Sequence, residues 1–223
     1  RFNVRTGDED HKYYIQKGEQ TAAMNFDREP RFYASIGFDR GIWFGQGKTD
    51  INNYNDLLVV KSRYREKCGF IGNRFYSITG YFSKKLVDYQ AIVSDDVAMT
   101  QDAVPFPSIR LADLYLLYAE ALNEVGYAEN ITTILSIINE VRKRAGLEAI
   151  DATRLNSKQA TFDYIVHERF IEFCYEGLRW PDLIRWGLAE EAMKKHFSLK
   201  NEGFNTATQT PMYAMEKRNL LAP

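Results

Sequence analysis

The sequence is poor in the residues that mark several specialised protein classes. Only two cysteines occur, Cys68 in a glycine-containing loop and Cys174 inside an apolar helical pattern. So far apart, they make neither a disulfide framework nor a zinc site, and they say little about compartment. No apolar run approaches the ~20 residues that a membrane-crossing helix needs. Neither sign of charge is in excess: 29 Lys and Arg against 30 Asp and Glu leave a net charge of −1. That balance argues against a nucleic-acid protein, because phosphate binding calls for a basic face. Histidine is scarce, and His11, His167 and His196 stand apart with no Cys/His cluster, so no metal site is expected.

What remains is ordinary globular material, 45% hydrophobic and 26% charged. The 223 residues suit one domain or part of a larger one, able to bury roughly 70% of the unfolded surface. Tyrosine is abundant, at 14 residues, which suits half-wet surfaces. The chain begins Arg1-Phe2-Asn3 with no basic or apolar leader, so the expectation is a removed targeting segment or a fragment.

The first hundred residues read as loops and short strands. Residues 31–38 (RFYASIGF) and 75–87 (FYSITGYFSKKLV), the latter broken at Gly80, have strand-like composition, and Gly, Asn and Asp crowd the stretch between them. Helical spacing dominates the second half. Ser108 is the expected N-cap of a helix carrying Leu114, Leu117, Tyr118, Ala121, Leu122 and Val125, which Gly126 stops. A second helix carries Ile131, Ile134, Leu135, Ile138, Val141 and Ala145 and ends at Gly146. Joined by a short turn, the two predict an αα-hairpin of tetratricopeptide character. A third helix is expected from Ser157 through Phe162, Ile165, Val166, Arg169 and Phe173, closed by Gly177 as a C′ residue at positive φ. A shorter amphipathic helix follows Pro181, and residues 200–223 look irregular.

Several motifs look chemical. Gly45-Gln46-Gly47-Lys48-Thr49 resembles the end of a phosphate loop, but the glycine required five residues before Gly47 is replaced by Ile42, so a glycine turn is expected. His167-Glu168 suggests a zinc protease, but the second ligand position holds Ile171. Glu168, Glu172 and Glu176 recur every four residues. They read as an acid/base pair or a carboxylate metal site or, in preference, as a salt-bridged stripe answering Arg169, Arg179 and Arg185. Asp182 follows Pro181, where a carboxylate offsets the free N–H groups of a first helical turn. The basic run of residues 61–67 reads as a solvated loop. Tyr13, Tyr14, Trp43 and Phe44 lie in turn-flanked stretches; their rings could stack on sugars or peptide side chains, with Arg40, Gln46 and Asn53 supplying hydrogen bonds.

Residues 106–121 (FPSIRLADLYLLYAEA), 138–147 (INEVRKRAGL), 167–172 (HERFIE) and 176–187 (EGLRWPDLIRWG) closely resemble the C-terminal region of the SusD/RagB family, as do 28–34 (REPRFYA) and 79–82 (TGYF). The resemblance implies a surface-exposed lipoprotein of the Bacteroidetes outer membrane. Such a protein binds nutrients over a SusC-like TonB-dependent transporter and uses no cofactor. Family members are not enzymes; most bind glycans and some bind peptides. Glu168, Arg169, Glu172, Gly177, Arg179, Asp182 and Arg185 match its strongest block and are expected to be structural. The lipid-bearing cysteine and the N-terminal half are expected to lie outside this chain.

Together these readings predict a mainly α protein: a tetratricopeptide-like hairpin and buried C-terminal helices, with an irregular loop and short-strand region in the first half. Residues 1–105 form the expected ligand-binding part, 106–199 the helical core and 200–223 the tail. Trp43, Phe44, Tyr13, Tyr14 and Arg40 are the expected ligand contacts, for an oligosaccharide or alternatively a peptide. A hydrolase using the glutamate stripe is the remaining rival.

Overall fold

The computed structural model describes residues 3–70, 77, 79–93, 99–100, 107–194, 197–205 and 210–217. Residues 75, 76 and 78 of the second expected strand, Phe106 and His196 lie outside them. The chain divides into two compact units. One holds Arg1–Arg28, Phe32–Val104 and Leu188–Pro223, the other Glu29–Arg31 and Pro105–Gly187.

The first unit is built from short antiparallel pairs. β1 (Val4–Thr6) pairs with β2 (Gln20–Ala22), after which comes the short helix α1 (Pro30–Ser35). β3 (Ile36–Gly37) and β4 (Ile42–Trp43) are followed by β5 (Leu58–Val59) and β6 (Phe82–Ser83), with β3 pairing with β6 and β4 with β5. β7 (Ile92–Val93) pairs with β8 (Met99–Thr100). The strand expected over residues 31–38 is therefore mostly helix. Pro30 supplies the preset φ of a first helical turn, while Phe32, Tyr33 and Phe38 pack with Ile15 and Phe26 as the unit's core.

In the second unit, α2 (Leu111–Arg144) is interrupted at Gly126, where φ is −177° and ψ is 92°. A straight helix of that length would run about 51 Å. Yet Arg110, just before its start, and Arg144, at its end, both donate to Glu172 Oε1, at 3.1 and 2.5 Å. The two limbs must therefore fold back on each other as a hairpin. The break at Gly126 uses extended backbone rather than a left-handed cap. The second limb ends as expected: Gly146 has φ +73°, Gly146 N–H donates to Lys143 O at 3.0 Å, and Leu147 N–H donates to Arg142 O at 3.0 Å. The helix start differs, since Arg110 is the N-cap and Ser108 precedes it without capping.

The inward face of the first limb also differs. Ala112, Leu116 and Ala119 are buried with Asn123, whereas Leu114, Leu117, Tyr118 and Val125 are exposed. This limb is apolar on both sides, so periodicity alone could not choose between them. The second limb buries Ile134, Ile138 and Val141 as expected, in one cluster with Leu155, Ile165 and Phe173.

α3 (Lys158–Glu172) starts at Ser157, whose Oγ accepts from Ala160 N–H at 3.1 Å. It ends at Glu172, so Gly177 is not its C′ residue and Glu176 is not on it. Gly177 nonetheless sits at φ +80°, between the helix and α4 (Arg179–Arg185). Gly177→Val is thus expected to cost about 1–2 kcal/mol through backbone strain alone, because nothing lies within 4 Å of an added Cβ. An unchanged melting temperature would contradict this.

After α5 (Ala189–Lys194), the stretch expected to be irregular contains paired strands. β9 (Phe197–Asn205) and β10 (Thr210–Lys217) are antiparallel, with a register shift between Met212 and Tyr213. No helix among the described residues is long and apolar enough to cross a membrane.

Candidate functional site

The first unit holds a cleft of about 1090 Å³, and β4 and β5 form part of its wall. β4 is fixed between neighbours: Ile42 N–H donates to Tyr14 O at 3.0 Å, and Val60 N–H donates to Gly41 O at 3.0 Å. Beyond Trp43 the chain reverses between Gly45 and Lys48. Gln46 (φ 55°) and Gly47 (φ +69°) both occupy the left-handed region, as a two-residue hairpin turn requires. The phosphate-loop look-alike is therefore a β-turn.

Trp43 sits where glycines clear room for its indole. A Cβ on Gly37 would stand 2.7 Å from the ring, and one on Gly45 would stand 2.9 Å away. The half-buried ring lines the cleft together with apolar Ile42, Leu58, Val59 and Phe82 and with polar Gln46, Asn55 and Asp88. Lys48, paired with Asp56 at 2.6 Å, lines it too.

Lys84 supports this platform. Its Nζ donates to the carbonyls of Tyr33 and Ile42, each at 2.9 Å, and lies 5.8 Å from the Trp43 ring centroid. Burial lowers its pKa from 10.5 to about 8. Between those values the unfolded chain holds the proton and the folded chain does not, so stability rises with pH across that window and the gain is absent below pH 8. The stability difference between the protein and its Lys84→Met variant is expected to grow by up to about 3 kcal/mol on going from pH 8 to 10.5. Parallel urea-unfolding profiles against pH would rule out the depressed amine.

Of the five expected ligand contacts, only Trp43 lines the cleft. Phe44 and Tyr13 are exposed elsewhere, at 39% and 54%, with Lys12 Nζ 5.3 Å from the Tyr13 ring. Tyr14 stacks on Tyr33 at 4.0 Å and meets His11 edge-on, which makes it a core anchor. Arg40 is buried, with its guanidinium committed to Glu66 at 2.6 and 3.0 Å, Glu19 at 3.2 Å and Asp39 at 3.3 Å. Those bonds also hold its left-handed backbone (φ 64°). Arg40 is therefore committed to ion pairs within the protein and does not line the cleft. The sequence marked the basic run of residues 61–67 only as a solvated loop and Phe82 only as part of a family-like block, and gave no sign that they, residues 57–60 and Asp88 share a cleft, because they converge only through tertiary pairing.

A family model described as "SusD family" matches residues 1–220. The chain belongs to the SusD family. SusD-like protein P38 of Formosa agariphila is 37% identical over 90 residues, which is 38% of this chain and 17% of that protein. A SusD-like protein of Bacteroides ovatus is 33% identical over 100 residues, covering 44% of this chain and 17% of that protein. Among solved structures, BT4246 matches with a TM-score of 0.70 at 28% identity, over 86% of this chain and 32% of that one. A SusD-like carbohydrate binding protein from Bacteroides fragilis shares the fold, with a TM-score of 0.50 at 21% identity, over 88% and 39% of the two chains. The matched stretch is thus 17% of the length of each curated relative.

In this SusD-family chain the glutamate stripe is ion-paired, but not to the arginines expected. Glu168 accepts from Arg31 at 2.6 Å and lies 3.5 Å from Arg142. Glu172 accepts from Arg31, Arg110 and Arg144, and Glu176 from Arg110 at 2.7 Å. Arg169 instead grips Asp182 through two bonds of 2.8 and 3.1 Å and reaches Asp113 at 2.7 Å. Arg185 joins Asp182 to Glu120. Arg179 lies with its guanidinium 4.8 Å from the Phe170 ring, and burial lowers its pKa. Asp182 serves these side-chain ion pairs, a role beyond the helix-end one expected for it. His167 is exposed, and among the described residues no trio of His, Cys, Asp or Glu gathers to hold a metal.

Proposed function

We propose that this chain binds a nutrient oligosaccharide in the Trp43 cleft, without catalysis, and presents it to a SusC-like TonB-dependent transporter at the bacterial surface. Anchoring would come through a lipid on the longer protein. The observation that carries the reading is one indole ring set in a cleft of about 1090 Å³ with amide and carboxylate side chains around it. An aromatic face stacks on the apolar face of a pyranose, while the polar side chains take its hydroxyls. Membership of the SusD family supports a nutrient-binding role. The non-catalytic reading is supported over a hydrolase by the burial of Glu168 and Glu172, 1% and 2% exposed, and by their ion pairs with arginines.

Native gels cast with a panel of polysaccharides test this. One or more glycans should retard the protein, and Trp43→Ala should reduce that retardation about tenfold or more, in line with the loss of one stacking platform. Failure of every glycan to retard the protein, together with peptides found by mass spectrometry of co-purifying material, would replace the sugar with a peptide.

A further inference from the structure

The basic run of residues 61–67 divides its side chains between two tasks. Arg63 turns to the protein, with Nε donating to Asp39 at 2.9 Å. Glu66 does likewise, accepting from Arg40 and from Arg63 N–H at 2.9 Å. Lys61, Arg65 and Lys67 are exposed, line the Trp43 cleft, and have no carboxylate partner among the described residues.

The loop that carries them is tightly closed. Cys68 N–H donates to Lys61 O and Arg65 N–H to Phe70 O, both at 2.9 Å. Gly69 is obligatory here, since a Cβ would fall 1.9 Å from Arg63 O. The closed loop therefore fixes the backbone positions from which the three cations line the cleft. The carboxylates of the same cleft do not balance them: Asp56 is paired with Lys48 and Glu66 with Arg40, which leaves Asp88. A cleft with unmatched positive charge focuses anions, and exposed pairs gain only modestly unless several act together.

We propose that the Trp43 cleft takes an acidic oligosaccharide, with a sugar ring on the indole and carboxylate or sulfate groups against Lys61, Arg65 and Lys67. This rests on the glycan reading given above and narrows it to a charge class.

The test uses native gels cast separately with polygalacturonate, ι-carrageenan, pullulan, galactomannan or poly-glutamate. Polygalacturonate or ι-carrageenan should retard the protein far more than the neutral glycans do, and added salt should weaken the effect. The better of the two identifies carboxylate or sulfate as the anion. The triple variant Lys61→Gln/Arg65→Gln/Lys67→Gln should bind about tenfold or more weakly with unchanged circular dichroism and melting, and Trp43→Ala should also lose binding. Equal retardation by neutral glycans that survives the triple variant would overturn the acidic assignment while leaving glycan binding intact. Equal retardation by poly-glutamate, or acidic-glycan binding that survives Trp43→Ala, would mark a generic polyanion surface and overturn it too. No retardation by any polysaccharide would remove the glycan reading and this inference together.

Discussion

Glu172→Ala is expected to destabilise the protein by about 3–5 kcal/mol, because removing one partner from a buried ionic cluster strands the others. The carboxylate is 2% exposed and accepts from three arginines: Arg31 at 3.2 Å, Arg110 at 3.1 Å and Arg144 at 2.5 Å. Alanine leaves the buried Arg31 guanidinium with Glu29 and Glu168, and removes the shared acceptor that ties both ends of α2 to the end of α3. Glu172→Gln keeps the side-chain length and one acceptor oxygen but loses the charge and sets an amide N–H against one group of arginines, so a smaller loss than for alanine is expected. Urea unfolding of both variants checks the order. Glycan retardation by the folded fraction of Glu172→Gln should match the parent protein. A variant that folds normally yet abolishes turnover of some substrate would restore the hydrolase reading.

Arg169→Met should cost a similar amount, about 3–5 kcal/mol. The guanidinium is 3% exposed, lies 5.0 Å from the Phe173 ring, and bonds Asp182 of α4 and Asp113 of α2. Methionine fills much of the volume but offers no donor to either carboxylate. Asp182 would keep Arg185, at 2.8 Å. Arg169→Lys is not a conservative rescue, because an ammonium cannot span both Asp182 oxygens as the planar fork does. A thermal melt of each variant measures the loss. Wild-type stability in the lysine variant would show that the two-pronged geometry is immaterial.

The two substitutions also show how unevenly the fold was legible. Gly146 stopped its helix as local chemistry dictates, and Ser157 capped α3, because each feature depends on a few neighbouring residues. The strand expected at residues 31–38 became helix α1 because Pro30 and the packing of Phe32 and Tyr33 outweighed aromatic β-propensity. The first limb of α2 carries apolar residues on both faces, so its burial was decided by what packs against it. Arg40 looked available in a loop, but Glu66, 26 residues later, claims it.

The sequence by itself determined the mainly helical class, the hairpin broken near Gly126, the buried acidic stripe's need for arginines, and the motif blocks of the SusD family. These rest on local periodicity, capping and composition, which a linear chain displays directly. Only the tertiary structure decided which arginines answer which carboxylates, that Trp43 is the one expected aromatic ring in the cleft, with Gln46 beside it, and that Lys61, Arg65 and Lys67 share that cleft with it. Those facts depend on long-range pairings, such as Arg31 with Glu168 across 137 residues, whose partners no local pattern names.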